Sequence, residues 1–212
     1  MDSPIIKTPR QLLFTQARQI GYVAVMSLAV ILLWKFADIN KNAVFVGENG
    51  PIETAQTAVL LLATLSLGIQ ACGNRIYRPL LLLLGSLTLA AAIREQDALL
   101  EHALPVISWY FCWVFPVAAI INIIRLRRNS LPSFIAFLRS NSFNMMITAA
   151  IIIIPIAQLL GHRSFLEDLI NNPAVNTGHL RRIIEEPIEL LGYLQILLAT
   201  LEFHIEQWLD RH

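Results

Sequence analysis

Charged side chains near the ends of apolar segments are the residues of this chain best suited to chemistry. Glu53 stands at the start of one apolar segment, Arg94 at the end of another, and Glu189 near the start of the last. Ionisable groups in such segments are costly, and they tend to face a bundle interior or a water-filled cavity. We therefore predict one cluster that binds a cation or a cationic group. Its members are Glu53, Arg94, Glu95, Asp97, Glu186 and Glu189.

The predicted cluster could hold a metal ion or carry protons. Carboxylate oxygens suit divalent cations such as calcium, magnesium or manganese. Glu53 and Glu189 are the preferred pair of ligands, and His102 is the histidine that could join them. The sequence contains no H-E-x-x-H pattern and no cysteine pair at metal-binding spacing. Carboxylates that hold their protons tightly would instead fit a proton-coupled transporter, so the cofactor stays open, with a divalent cation as the candidate.

Acids near helix N-termini also have a simpler role. The helix macrodipole stabilises each of them by about 0.3–1 kcal/mol when exposed. That role alone would account for Glu48, Glu185 and Glu186 equally well. It does not account for Glu95 and Asp97, which close a predicted helix, so for these two we favour a buried partnership.

A short repeat links two of the acidic positions. Pro51-Ile52-Glu53 and Pro187-Ile188-Glu189 lie 136 residues apart, and each precedes a similar Leu- and Ala-rich stretch. Duplication and coincidence would explain the match equally well. Either origin predicts two helices that enter the membrane from the same face, each with a glutamate at the same depth in the membrane.

Composition indicates the class of protein that must position these residues. The chain has 212 residues, of which 56% are hydrophobic and 15% are charged, and its mean hydropathy is +0.59. Soluble domains average about 25% charged residues, so the composition favours an integral membrane protein. The apolar content excludes a disordered chain. The formal net charge of +1 argues against a nucleic-acid partner.

We predict an all-α polytopic membrane protein, a bundle of six transmembrane helices with short interfacial helices, forming one domain over residues 1–212. A span needs about 20 mostly apolar residues. Proline at a helix start costs no hydrogen bond, and proline inside a span bends it, so we expect helix starts near Pro51, Pro79 and Pro187 and a bend at Pro155. The segment Leu131 to Leu138 should lie on the inner membrane surface, and the outer loop 162–186 should hold two short helices. The predicted spans are residues 20–36, 54–71, 80–93, 104–124, 143–161 and 188–203.

Basic residues predict the orientation of the chain. Lys and Arg concentrate on the side of the N-terminus, in short loops such as Arg75 to Arg78, so the positive-inside rule puts both termini in the cytoplasm. A second basic cluster follows the fourth predicted span and should meet anionic lipid head groups. Its members are Arg125, Arg127, Arg128 and Arg139.

The acidic pattern resembles that of an uncharacterised group of bacterial polytopic inner-membrane proteins. The resemblance implies a bacterial inner-membrane location and no activity. The chain departs from the ceramidase-like superfamily of intramembrane hydrolases, because it lacks an H-x-x-x-H motif. The residues that carry the resemblance are Glu48-x-Gly50-x-x-Glu53, Arg94-Glu95-x-Asp97 and Glu185-Glu186-x-x-Glu189.

Three functions fit these observations. The first is a membrane protein whose outward-facing acidic pocket binds a cation or cationic group, for transport or sensing. The second is a scaffold or assembly subunit whose outer acids pair with a basic protein partner. The third is a metal-dependent membrane hydrolase, so whether the chain is an enzyme stays open. Membrane lipid is the partner that all three share.

Overall fold

The computed structural model describes residues 9–39, 50–96, 112–125, 127–162 and 177–209. Within these ranges the regular structure is helical and contains no strand, which confirms the all-α class there. The sixth helix contains a π-helical turn. The helices are α1 (Pro9–Ile39), α2 (Pro51–Gly73), α3 (Arg78–Glu95), α4 (Val114–Arg125), α5 (Arg127–Leu138), α6 (Asn141–Leu160) and α7 (Thr177–Leu209).

Four helices are long and apolar enough to cross a membrane: α1, α2, α6 and α7. Helix α3 coincides with the third predicted span, and α4 with the second half of the fourth. The 12 residues of α4 rise only about 18 Å, less than the roughly 30 Å of a bilayer core. Residues 104–111 of the fourth predicted span lie outside the described ranges. The count of six spans therefore stays a prediction.

Helix α1 belongs to a separate compact unit, residues 1–39, and the other helices form a second unit. The apolar segment of α1, Leu13–Lys35, has no buried residue within its most apolar window. Bulky side chains such as Ile20 and Trp34 are exposed along it. An apolar helix without a buried face is the form expected of a span surrounded by lipid.

Helices α2 and α7 run in the same direction. The Gln56 amide donates to the backbone carbonyl of Glu186 over 2.9 Å, and the Gln70 amide donates to that of Thr200 over 3.2 Å. Both bonds join residues 130 positions apart, so the two helices advance together. This agrees with the prediction that they enter from the same face.

The register of these helices contradicts the equal depth predicted from the repeat. The repeat relates Glu53 to Glu189 by 136 residues, whereas the hydrogen bonds pair residues 130 apart. The six-residue difference moves the two glutamates about 9 Å apart along the helix axes. Sequence similarity aligned the two Pro-Ile-Glu triplets, but the glutamine side chains and the packing of α2 set the actual register.

Helices α2 and α3 form an antiparallel hairpin. Asn74 closes the turn by accepting two backbone N–H groups through Oδ1. The hydroxyl groups of Thr64 and Thr88 lie 2.8 Å apart halfway along the pair. At the far end, the Gln96 amide donates to Thr57 Oγ1 over 2.8 Å. The end of α3 therefore lies beside the first turns of α2.

Aromatic side chains hold α5 against the rest of the second unit. Phe137 is buried and meets Phe143 and Phe203 edge to face, with ring centroids 5.4 and 5.6 Å apart. Tyr77 makes a similar contact with Phe203 at 5.3 Å. The predicted amphipathic segment Leu131–Leu138 is thus helical, and one of its faces packs into the core.

The start of the last helix differs from the prediction. We predicted a span from residue 188 with Pro187 beside its start, but α7 begins at Thr177 and contains Pro187. The second short helix expected in the outer loop is therefore the first part of α7, while residues 163–176 lie outside the described ranges. Membrane helices tolerate an internal proline, and α7 continues through Pro187 although its ring removes one backbone donor.

A π-helical turn interrupts α6 at Ile152–Ala157, around the predicted bend at Pro155. Proline removes one backbone donor, and π turns occur mostly as single insertions in α-helices. Gly192 of α7 packs directly on this turn. A Cβ atom there would lie 3.0 Å from Ile153 Cδ1 and closer still to Ile153 Cγ1.

Candidate functional site

Four helices bring polar side chains to one end of the second unit. The start of α2, the end of α3, the end of α6 and the third turn of α7 meet there. The parallel course of α2 and α7 and the antiparallel return of α3 produce this arrangement. Residues far apart in sequence thereby share one polar region.

Tyr193 joins the charged groups of α3 and α7. Its hydroxyl donates to Glu95 Oε1 over 2.7 Å and accepts from Arg94 Nη2 over 3.2 Å. Arg94 Nη2 also donates to Glu95 Oε1 over 2.9 Å and lies 3.6 Å from Glu189 Oε1. The side chain of Glu189 is only 8% exposed, so the guanidinium offsets a buried carboxylate.

A second group of contacts surrounds Glu185. Arg181 Nε donates to Glu185 Oε2 over 2.6 Å, and Gln158 Nε2 donates to Glu185 Oε1 over 2.9 Å and to Glu189 Oε1 over 3.3 Å. A Cβ atom on Gly161 would lie 2.6 Å from Glu185 Oε2, so the absence of a side chain makes room for the carboxylate. One amide thus holds two buried carboxylates together.

Glu186 is the least satisfied member of the site. Its Oε2 atom is buried, yet within the described part of the chain it accepts no hydrogen bond. The carboxylate interacts electrostatically with Glu53, Glu95, Glu189 and Arg182. The charged cluster, as the structure has it, holds five carboxylates and three guanidinium groups, an excess of negative charge when all are ionised. Its members are Glu53, Arg94, Glu95, Arg181, Arg182, Glu185, Glu186 and Glu189.

Most residues predicted for the site fall within this cluster, including Arg94, Glu95, Glu186 and Glu189. Glu53 joins them through its electrostatic interaction with Glu186. Asp97 and His102 lie outside the described ranges. Among the residues that are described, no group of three His, Cys, Asp or Glu side chains has the geometry to hold a metal ion.

Sequence reasoning missed the partners that hold the acids. Arg181 stands four residues before Glu185 on one helix, a spacing that could have identified the ion pair. Gln158 carries no such signal, because only the packing of α6 on α7 brings it to Glu185. At the opposite end of α7, Glu202 is also fully buried.

The predicted lipid-contacting arginines are only partly described. The side chains of Arg125 and Arg139 are exposed, in keeping with a position at a membrane surface. The side chains of Arg127 and Arg128 lie outside the described set. Contact of all four with lipid head groups stays a prediction.

Replacing Tyr193 by Phe should lower the free energy of unfolding by about 1.5–3 kcal/mol. The change removes a hydroxyl that bonds both Glu95 and Arg94, and hydrogen bonds to charged groups are worth about this much. Denaturant titration in detergent micelles would measure the loss.

Tyr77→Phe is the matched control for Tyr193→Phe. The Tyr77 ring packs against Phe203, but its hydroxyl forms no hydrogen bond with the described residues. Its loss should change stability by less than about 0.5 kcal/mol. Equal effects from the two variants would contradict the hydrogen-bonded role of Tyr193.

No family model, curated protein or solved structure matches this chain.

Proposed function

We propose that the chain is a multi-pass integral membrane protein that binds a cationic group in the charged cluster. The observation that carries this proposal is the buried Oε2 atom of Glu186, which receives no hydrogen bond from the described residues. It lies within a cluster whose carboxylates outnumber its guanidinium groups. A buried acceptor of this kind calls for a hydrogen-bond donor, which a cationic ligand would supply.

A primary ammonium group fits this environment best. It carries the positive charge that offsets the excess of carboxylates, and it has three N–H donors for their oxygens. Glu186 would contact it, because Arg94 and Arg181 already engage Glu189 and Glu185. A metal ion on Glu53, Glu189 and His102 has less support, since the register of α2 against α7 separates the two glutamates by about 9 Å along the helix axes.

We place the cluster at the outer face of a bacterial inner membrane, with six spans and both termini in the cytoplasm. The distribution of Lys and Arg supports this orientation. The common direction of α2 and α7 supports it further, because six spans put the second and sixth in the same orientation.

Binding or sensing fits the packing better than passage through the protein. Leu60, Leu67 and Phe203 are fully or almost fully buried between the cluster and the opposite end of the second unit. Close-packed apolar side chains of this kind leave little space for a hydrated ion. We therefore assign the cluster to binding, with sensing as its use.

An assembly subunit is the second candidate. A Lys or Arg side chain of a protein partner would then supply the cationic group. The exposed apolar face of α1 favours this alternative, because a partner in the membrane could cover it. Copurification of a stoichiometric partner with the cluster intact would support it.

Glu186→Gln should weaken binding of a soluble primary amine about tenfold or more. The change removes one charge-assisted hydrogen bond, worth about 1.5–3 kcal/mol, and about 1.4 kcal/mol corresponds to tenfold in affinity. The measurement is calorimetric titration of the purified protein in lipid nanodiscs with ethanolamine, and with magnesium and calcium for comparison.

Glu206→Gln is the matched control for this experiment. Glu206 lies at the other end of the same helix and is also partly buried. It accepts a hydrogen bond from the backbone N–H of Asn141, at the start of α6. The substitution removes the same charge and should leave amine binding unchanged. Absence of amine binding, or equal weakening by both substitutions, would overturn the proposal.

A further inference from the structure

An apolar groove of about 520 Å³ lies beside the charged cluster. Helices α3, α5, α6 and α7 form most of its walls, with Leu67 of α2 and the residues just before α4, and its lining is predominantly apolar. The volume lies within the roughly 300–1,000 Å³ of pockets that hold small molecules. Leu87, Trp113 and Ile147 line the groove and are exposed, so it opens sideways to the surroundings of the bundle.

The groove meets the charged cluster at Arg94 and Tyr193, which line it and belong to the polar network. In a membrane, hydrocarbon would surround the open side of the groove, while the cluster lies at the ends of the helices. A long apolar space with charges at one end is complementary to an amphipathic molecule. A lipid has that form.

Arg94 has hydrogen-bonding capacity left for an anion. Its side chain is 52% exposed, and its contacts with Glu95, Tyr193 and Glu189 all use Nη2. Within the described part of the chain, Nε and Nη1 form no hydrogen bond, so they can donate to a ligand. Guanidinium groups bind phosphate through charge-assisted hydrogen bonds, and either free nitrogen can supply one.

The surrounding acids select among anionic head groups. A phosphate alone would approach Glu95 and Glu189, which lie next to Arg94, and like charges repel. A head group that also carries an ammonium would offset this repulsion at Glu186, whose buried oxygen lacks a donor. The charges on both sides therefore match a head group with a phosphate and an amine.

We propose that the groove binds an acyl chain of a phospholipid with a primary-amine head group. Arg94 binds its phosphate, and Glu186 accepts a hydrogen bond from its ammonium group. This inference rests on the proposed function, since the ammonium of the head group is the cationic group bound there. It adds the chemical class of the ligand and gives the groove the role of binding its acyl chain.

Native mass spectrometry of the full-length protein tests the head-group preference. The probes are phosphatidylethanolamine, phosphatidylcholine and phosphatidylglycerol with identical acyl chains in equimolar mixture. Phosphatidylethanolamine should be retained about tenfold more than phosphatidylcholine, because a quaternary ammonium has no N–H to donate. Glu186→Gln should abolish this preference. Arg94→Lys keeps a positive charge for the neighbouring acids but loses the Nε and Nη1 donors, so it should weaken retention of all three lipids about tenfold.

A pair of alanine substitutions tests the groove itself. Ala150 lines the groove, so Ala150→Phe should fill it and reduce the retention of every phospholipid at least tenfold. Ala118 is exposed on α4 and does not line the groove, so Ala118→Phe should have no effect. An unchanged thermal transition in both variants would show that they fold alike.

The outcomes separate this inference from the proposed function. Ethanolamine binding that depends on Glu186, combined with no retained phospholipid, would overturn the lipid assignment and leave the cation site intact. If Arg94→Lys and Ala150→Phe reduce phospholipid retention but Glu186→Gln has no effect on the head-group preference, the cation site is overturned. Retention that none of the three substitutions alters would show unspecific lipid and overturn the lipid assignment, while the ethanolamine titration decides the cation site.

Discussion

Replacing Phe137 by Ala should lower the free energy of unfolding by about 3–5 kcal/mol. Phe137 is 3% exposed and contacts the rings of Phe143 and Phe203 edge to face. The substitution leaves a void between α5, α6 and α7 that the surrounding helices fill only in part, so those contacts are lost. Denaturant titration of the purified protein in detergent micelles would measure the change.

Phe134→Ala is the control for this prediction. Phe134 lies one turn earlier on α5 and is 41% exposed, so the same side chain is removed without a buried cavity. Its loss should cost less than about 1 kcal/mol. Similar costs for both substitutions would mean that α5 rests on a membrane surface and does not pack into the core.

Gly192→Leu should destabilise the protein by about 3 kcal/mol or more. A Cβ atom at this position would already overlap Ile153 in the π-helical turn of α6. The added side chain must therefore push α6 and α7 apart or distort the turn, and overpacking of this kind typically costs about 1–3 kcal/mol, occasionally more. Thermal unfolding in micelles would show the effect as a lowered transition temperature.

Two further variants make the Gly192 prediction specific. Gly68 lies within α2, and a Cβ atom added there would have no neighbour within 4 Å. Gly68→Leu should therefore leave stability unchanged or improve it. Ile153→Ala, combined with Gly192→Leu, should recover a large part of the loss, because the two sites share one volume. Additive losses in the double variant would contradict direct packing of Gly192 on Ile153.

The contact at Gly192 also bears on the charged cluster. Gln158 follows the π-helical turn directly and donates to Glu185 and Glu189. A shift of α6 against α7 would move this amide away from the two carboxylates. The variants at Gly192 and Ile153 should therefore change amine binding as well as stability, whereas Gly68→Leu should change neither.

The sequence predicted the helical class and the approximate positions of most apolar helices. Long apolar runs identify such helices directly, because a membrane helix must satisfy its own backbone and cover it with apolar side chains. Pro51 and Pro79 correctly marked helix starts. Pro187 did not, because an internal proline and a proline at a helix start look alike in sequence.

The sequence predicted the residue types of the candidate site and the helix ends that carry them. It did not predict the contacts between these residues. Arg94, Glu95 and Glu189 stand out because charges are rare in apolar helices, and the structure brings them together. Their pairing through Tyr193 and the role of Gln158 depend on which faces of α3, α6 and α7 meet. No spacing within one helix carries that information.

The amino-acid sequence alone predicts a chain apolar enough for several membrane helices and shows where its acidic residues concentrate. Hydrophobic runs and single charges are local properties, and the cost of placing charges among apolar side chains acts on each segment separately. The packed helices were needed to reveal the register of α2 against α7, the extension of α7 through Pro187, and the groove beside Arg94. These features arise because side chains from separate helices must fill one shared volume and satisfy one another's hydrogen bonds.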